Sequence, residues 1–153
     1  MKEEKKLSSD SIVLKGISRS IQLDRYSCAA QTVKSVLDYY GKHLTVPEII
    51  RLLGTDSKEG TDTGPILNLL QELGFNYSVE ENADLTKIRK YLAKGIPLLI
   101  TVDDWEHWVL IYGISKKKIF LIDSHPLVFT SGISINDFVD RWDDNWICGI
   151  FAK

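Results

Sequence analysis

Three nearly continuous apolar runs dominate the second half of the chain: Ile96 to Val102, His107 to Tyr112 and Ile119 to Ile122. A half-exposed strand alternates polar and apolar residues, whereas an unbroken Ile, Leu and Val run reads as a strand covered on both faces. The first half supplies helices. Apolar residues at 30, 33, 37 and 40 have the three-and-four spacing of a helix with one buried face, stopping at Gly41. Thr45-Val46-Pro47-Glu48 is a capping-box pattern with proline in the first turn, and Gly54 ends the helix it opens. A third helix spans Gly64 to Leu73, and a fourth begins after Asp84 and ends before Gly95. Its Arg89, Lys90 and Lys94 suit the negative helix end and read as a solvated face and not as a binding patch. Shorter pieces complete the set: an edge strand at Ile12-Val13-Leu14, a strand at Phe75 to Val79, a helix from Ser134 to Trp142 and a last strand from Trp146 to Phe151. Helices early and strands late define an α+β fold.

Size and composition narrow the function. With 153 residues the chain is the length of one domain. Residues 1–11 read as a flexible N-terminal segment and 12–153 as a single domain. A net charge of −2 offers no basic field for nucleic acid or an anionic membrane. No apolar run approaches the roughly 18 residues of a membrane span, and no signal-peptide pattern follows the charged start. Two distant cysteines, Cys28 and Cys148, form neither a disulfide framework nor a zinc motif. A cytoplasmic domain with reduced thiols is expected; a chain trimmed of a signal peptide would look the same.

Cys28 stands at a helix start, with Ser27 as the N-cap candidate. Free amides and the helix dipole favour negative charge there, lowering a thiol pKa from about 8.5 and making Cys28 a candidate nucleophile. Cys148, inside an apolar strand, reads as core.

A cysteine nucleophile needs a base, and the base needs a group to orient it. Of three histidines, His43 lies in a polar turn and His125 beside Pro126 in a loop. His107 opens a buried-looking strand, where a sheet presents a side chain to a cleft. A hairpin centred on Ser115 predicts Leu110 opposite Phe120 and His107 opposite Asp123, close enough to hydrogen-bond. A structural ion pair at the sheet mouth is the competing reading of His107 and Asp123.

Taken in order, these residues resemble the bacteriocin-processing cysteine peptidases, which remove double-glycine leader peptides (cysteine peptidase family thirty-nine). Gln22-Leu23-Asp24 with Cys28 six residues after the glutamine resembles the nucleophile motif. Tyr39-Tyr40-Gly41, Gly64 to Gly74, Gly95-Ile96-Pro97, His107-Trp108-Val109-Leu110 with Gly113, Ile122-Asp123 and Phe138 to Trp142 follow in the family's order. The resemblance covers residues 18 to 150. It implies a papain-like fold, with a helical N-terminal half packed on a mainly antiparallel sheet, and assigns Gln22 to the oxyanion hole. Two positions depart from the family: Ala29 stands where glycine usually follows the cysteine, and Asp123 is followed by Ser124-His125-Pro126 in place of proline. Ala29 keeps its backbone amide, so the oxyanion site is not abolished by that change.

The expected activity is peptide-bond cleavage by Cys28, His107 and Asp123 with Gln22 as oxyanion donor, the substrate being a peptide such as a leader. Trp105 and Trp108 flank His107 as candidate walls of the substrate groove; sheet packing is an equal reading for Trp108. No cofactor is implied. Metal binding by Cys28, His107, His125 or Cys148 lacks any short ligand spacing. An amidase or acyltransferase with the same triad, or a non-catalytic peptide-binding domain, remains open. Export-coupled cleavage would require a separate transporter partner.

Overall fold

The computed structural model describes residues 11–17, 28–54, 63–102, 107–123 and 132–152. Gln22, the Ser27 cap, Trp105, His125, residues 1–10 and the loop 55–62 lie outside them. Helix α1 (Cys28–Tyr39) is followed by α2 (Val46–Leu53) and α3 (Thr63–Glu72). Strand β2 (Phe75–Glu80) leads into α4 (Leu85–Ala93), and the sheet then builds through β3 (Leu98–Val102), β4 (His107–Ile114) and β5 (Lys118–Asp123). The short β6 (Ile133–Ser134) opens directly into α5 (Ile135–Arg141), and β7 (Ile147–Ala152) closes the chain. With β1 (Ile12–Val13) the sheet has seven strands in the order β2-β7-β3-β4-β5-β6, and β1 pairs with β4; every pairing is antiparallel.

Local chemistry accounts for the helix ends. Thr45 caps α2 in a full capping box with Glu48, and Gly54 closes it at φ 71°, a left-handed conformation that suits glycine. Asp84 caps α4 by accepting from the Lys87 amide at 2.9 Å, and Ser134 caps α5 by accepting from Asp137 at 3.1 Å.

The sheet separates two cores, and alternate residues of each strand divide between them. Trp108 and Leu110 of β4, Leu99 of β3 and Cys148 and Ile150 of β7 pack with α1, α2 and α3. Val109, Ile111, Leu98, Ile100, Val102 and Ile147 pack on the other face with Ile88 and Leu92 of α4 and Phe138 of α5. All five residues of β3 are buried, as an unbroken apolar run requires.

Two expectations are corrected. Helix α1 is not buried on one face only: Ala29, Gln31, Thr32, Ser35 and Val36 are buried along with Ala30, Val33 and Leu37. It lies between β4 and α2, so two sides of the helix are covered and its polar residues make internal bonds, as in Ser35 to the Gln31 carbonyl at 3.3 Å. The hairpin register also differs. Ile114 faces Ile119 and Gly113 faces Phe120, but beyond a bulge at Tyr112 the pairs become Ile111–Leu121, Leu110–Ile122 and Val109–Asp123. Thus neither Leu110 and Phe120 nor His107 and Asp123 are directly opposed. The turn is tighter and closer to Ser115–Lys118 than a hairpin centred on Ser115 allows, and the bulge adds one residue to β4.

Candidate active site

Cys28 is the first residue of α1, where the helix amides have no partners within the helix. His107 is the first residue of β4 and is half-buried; it pairs with Val102 at the end of β3. Asp123 is the last residue of β5. The last residue of one strand and the first of its antiparallel neighbour meet at one end of the sheet, so His107 and Asp123 share that end.

Helix α1 is fastened to the same region. The Thr32 hydroxyl, one turn after Cys28, donates to the Trp108 carbonyl at 3.3 Å, and both residues are buried. This bond joins the first turns of the cysteine-bearing helix to the residue next to His107. Thr32 carries no catalytic motif; its only sequence signal is a hydroxyl four residues after Cys28 on a helix rich in apolar residues.

Trp108 is 5% exposed and meets Trp146 edge-to-face, with ring centroids 6.0 Å apart. Its ring therefore belongs to the core on the α1 face, which is the packing alternative for this residue. Beside it, Thr101 pairs with Trp108 across β3 and β4, and its buried hydroxyl has no hydrogen-bond partner among the described residues. The turn after α5 supports this end of the sheet: Trp142 bridges to Val102, and the Asp143 amide donates to the Thr101 carbonyl at 3.3 Å.

Cys148 is fully buried in β7, and burial pushes its thiol up to about 12. It is thereby unsuited to supply a thiolate, in agreement with its reading as core. His43 lies on the surface, 3.0 Å from the Asp38 carboxylate. Among the described residues no group of three or more His, Cys, Asp or Glu could hold a metal ion, and no helix is long and apolar enough to cross a membrane.

Residues 18–149 match the peptidase C39 family. The chain belongs to that family. Among curated proteins this C39 chain is similar to the lactococcin-G-processing and transport ATP-binding protein LagD of Lactococcus lactis subsp. lactis. They are 26% identical over 126 residues, covering 79% of this chain and 17% of LagD. The chain thus spans about one sixth of the length of that relative. Among solved structures, it superposes on the peptidase domain of Streptococcus ComA, a bi-functional ABC transporter, with a TM-score of 0.78 at 21% identity, covering 90% of this chain and 99% of that one. A double glycine motif protease from an AMS/PCAT transporter, solved with its leader peptide, gives 0.77 at 17% identity, covering 94% and 99%. At these identities the likeness establishes the C39 fold, which is α+β and papain-like.

Proposed function

We propose that this C39 domain is a cysteine peptidase that cleaves a peptide bond in a leader-bearing peptide, with Cys28, His107 and Asp123 as its triad. The observation that carries the reading is the fastening of α1 to β4. The nucleophile candidate opens a helix that is bonded one turn later to the residue beside the base candidate.

In the proposed reaction His107 takes the thiol proton as the Cys28 sulfur attacks the scissile carbonyl, giving a tetrahedral oxyanion. The Gln22 side-chain amide and the Cys28 backbone amide stabilise that charge. Collapse expels the amine, which leaves with the proton from His107, and a thioester remains on Cys28. Water, deprotonated by His107, then attacks the thioester and regenerates the thiol. Asp123 holds the His107 tautomer and offsets the imidazolium charge. Trp105 forms a wall of the substrate groove. The peptide substrate and a transporter partner, on a separate chain or a further segment, are proposed from the relatives named above, as is a cytoplasmic location.

Labelling with a thiol-directed peptide electrophile near neutral pH tests this reading. Cys28 should react selectively, and the reaction should be lost in His107→Ala. Equal labelling of Cys28 and Cys148, indifferent to His107, would overturn the triad, and peptide cleavage retained in Cys28→Ala would remove the peptidase reading.

A further inference from the structure

The face of the sheet opposite α1 carries a cleft that the proposed reaction does not use. It has a volume of about 370 Å³ and lies between α4 and the outer end of the sheet, lined by Lys87, Lys90, Tyr91 and Lys94 of α4 and by Ile96 and Phe151. Ser78 and Glu80 of β2 complete it. The three lysines follow at steps of three and four, which puts them on one stripe of the helix. Lys87 is paired with Glu80 at 3.0 Å. Lys90 and Lys94 are exposed and have no ion pair among the described residues. Lys90 adds to the field of Lys87 that holds the Glu80 carboxylate below its usual range, so among the lining residues three lysines face one carboxylate and the cleft keeps a net positive charge.

The floor of the cleft is built. The Tyr91 ring lies against Gly149 of β7, where a Cβ would stand only 2.7 Å from its Cε1, and the Tyr91 hydroxyl meets the Ser78 hydroxyl at 2.8 Å. Glycine at 149 is what lets the ring lie on the strand. Next to this floor, β2 is the outermost strand of the sheet among the described residues, bonded to β7 on one side. Every second residue of such a strand turns its amide and carbonyl outward, a template for an added strand.

We propose that the open edge of β2 and the lysine cleft together bind an extended acidic peptide segment, which adds as a strand and sets carboxylates on Lys90 and Lys94. The spacings agree. Alternate residues of a strand share a face and lie roughly 6.6 Å apart, and a helix rises about 6 Å over four residues. An acidic residue at every second position thus meets successive lysines, while backbone bonds to β2 supply sequence-independent affinity.

The test is fluorescence anisotropy of a labelled eight-residue peptide with Glu and Thr alternating, against the same peptide with Gln for Glu. The Glu peptide should bind at least tenfold tighter at low salt, and the difference should shrink at high salt. Lys90→Glu with Lys94→Glu, both on the surface, should abolish the preference. N-methylation of alternate peptide amides should weaken binding by removing strand pairing. Equal binding of the two peptides, or a preference that survives the lysine reversals, overturns the proposal. So does N-methylated peptide binding unchanged, or phosphatidylserine vesicles that bind through these lysines when the Glu peptide does not. Binding is read without turnover, so its failure leaves the reading of Cys28 untouched.

Discussion

Val109 stands directly opposite Asp123 across the β4–β5 pair, and His107 lies two residues before Val109 on the same strand. Residues two apart on a strand share pleat parity, so Asp123 is the diagonal neighbour of His107, about 7–8 Å away in such pairs. Val109 and Val102, which share that parity, pack on the face away from α1, so the proposed approach to Cys28 requires His107 to turn round the strand end that it occupies. The bulge at Tyr112 creates the diagonal relationship. With the turn register of Ile114–Ile119 continued unbroken, Asp123 would face Leu110, whose parity is opposite to that of His107. A diagonal pair closes with a side chain that reaches along the strand. If the Asp123 carboxylate orients His107, Asp123→Asn should lower kcat by roughly 10²–10⁴-fold, as loss of a triad carboxylate does. Asp123→Glu, which keeps the charge and lengthens the reach, should recover part of it. Full activity in Asp123→Asn, measured on a cleaved peptide, would remove Asp123 from the site.

The bulge rests on Gly113. A Cβ there would lie 2.9 Å from the Ile12 carbonyl and 3.2 Å from the Phe120 Cβ. Both neighbours are tightly placed, one a backbone atom of β1 and the other the partner residue in the hairpin. Gly113→Ala should therefore cost about 1–3 kcal/mol, the usual range for forced overpacking. Thermal or denaturant unfolding would measure it; a variant as stable as the parent would show that β1 moves aside freely.

Two buried threonines near the proposed site should respond to the same substitution with opposite signs. The Thr32 hydroxyl bonds the Trp108 carbonyl, whereas the Thr101 hydroxyl is buried without a partner among the described residues. Valine keeps the shape of threonine and removes the hydroxyl. Thr32→Val should destabilise by about 1 kcal/mol, the net worth of a typical internal hydrogen bond. It should also lower kcat/KM, because the tie between α1 and β4 is lost. Thr101→Val should stabilise by about 1 kcal/mol, since an unpartnered buried hydroxyl is costly. Denaturant melts of both variants decide the matter, and two changes of the same sign would contradict the assigned bonding.

What the residues disclosed in advance was local chemistry. Thr45 with Glu48, Asp84 and Ser134 announce helix starts because a capping bond is made within three residues, and each cap forms. The unbroken run at Leu98 to Val102 announces a covered strand because burial on both faces removes any need for alternation. The placement of Cys28 at a helix start and His107 at a strand start follows from the same short-range signals. Long-range decisions were not readable. The Tyr112 bulge is held by the segment of β1, where the amide of Leu14, just past the strand, donates to the Tyr112 carbonyl at 2.8 Å from nearly a hundred residues away. The insertion of β7 between β2 and β3 joins segments with no local mark of their pairing. Burial of Gln31, Thr32 and Ser35 comes from α1 being enclosed, and polar side chains give no sign of enclosure until their partners are in place.

The buried thiol of Cys148 makes stability fall in alkali. Unfolded, a cysteine ionises from about pH 8.5; in the fold, burial holds this thiol up to about 12. Between those limits the unfolded chain binds fewer protons than the folded one, so the unfolding free energy decreases as pH rises, with a limiting slope of about 1.4 kcal/mol per pH unit. Tyr40, half-buried and donating to the Ile150 carbonyl, is also raised by burial and adds a loss of the same sign above about pH 10. Urea melts between pH 8 and 10 isolate the cysteine. The parent should lose stability across this interval, and Cys148→Ala, though weaker throughout because of the cavity it leaves, should show a shallower slope. Identical slopes would mean that Cys148 ionises within the fold.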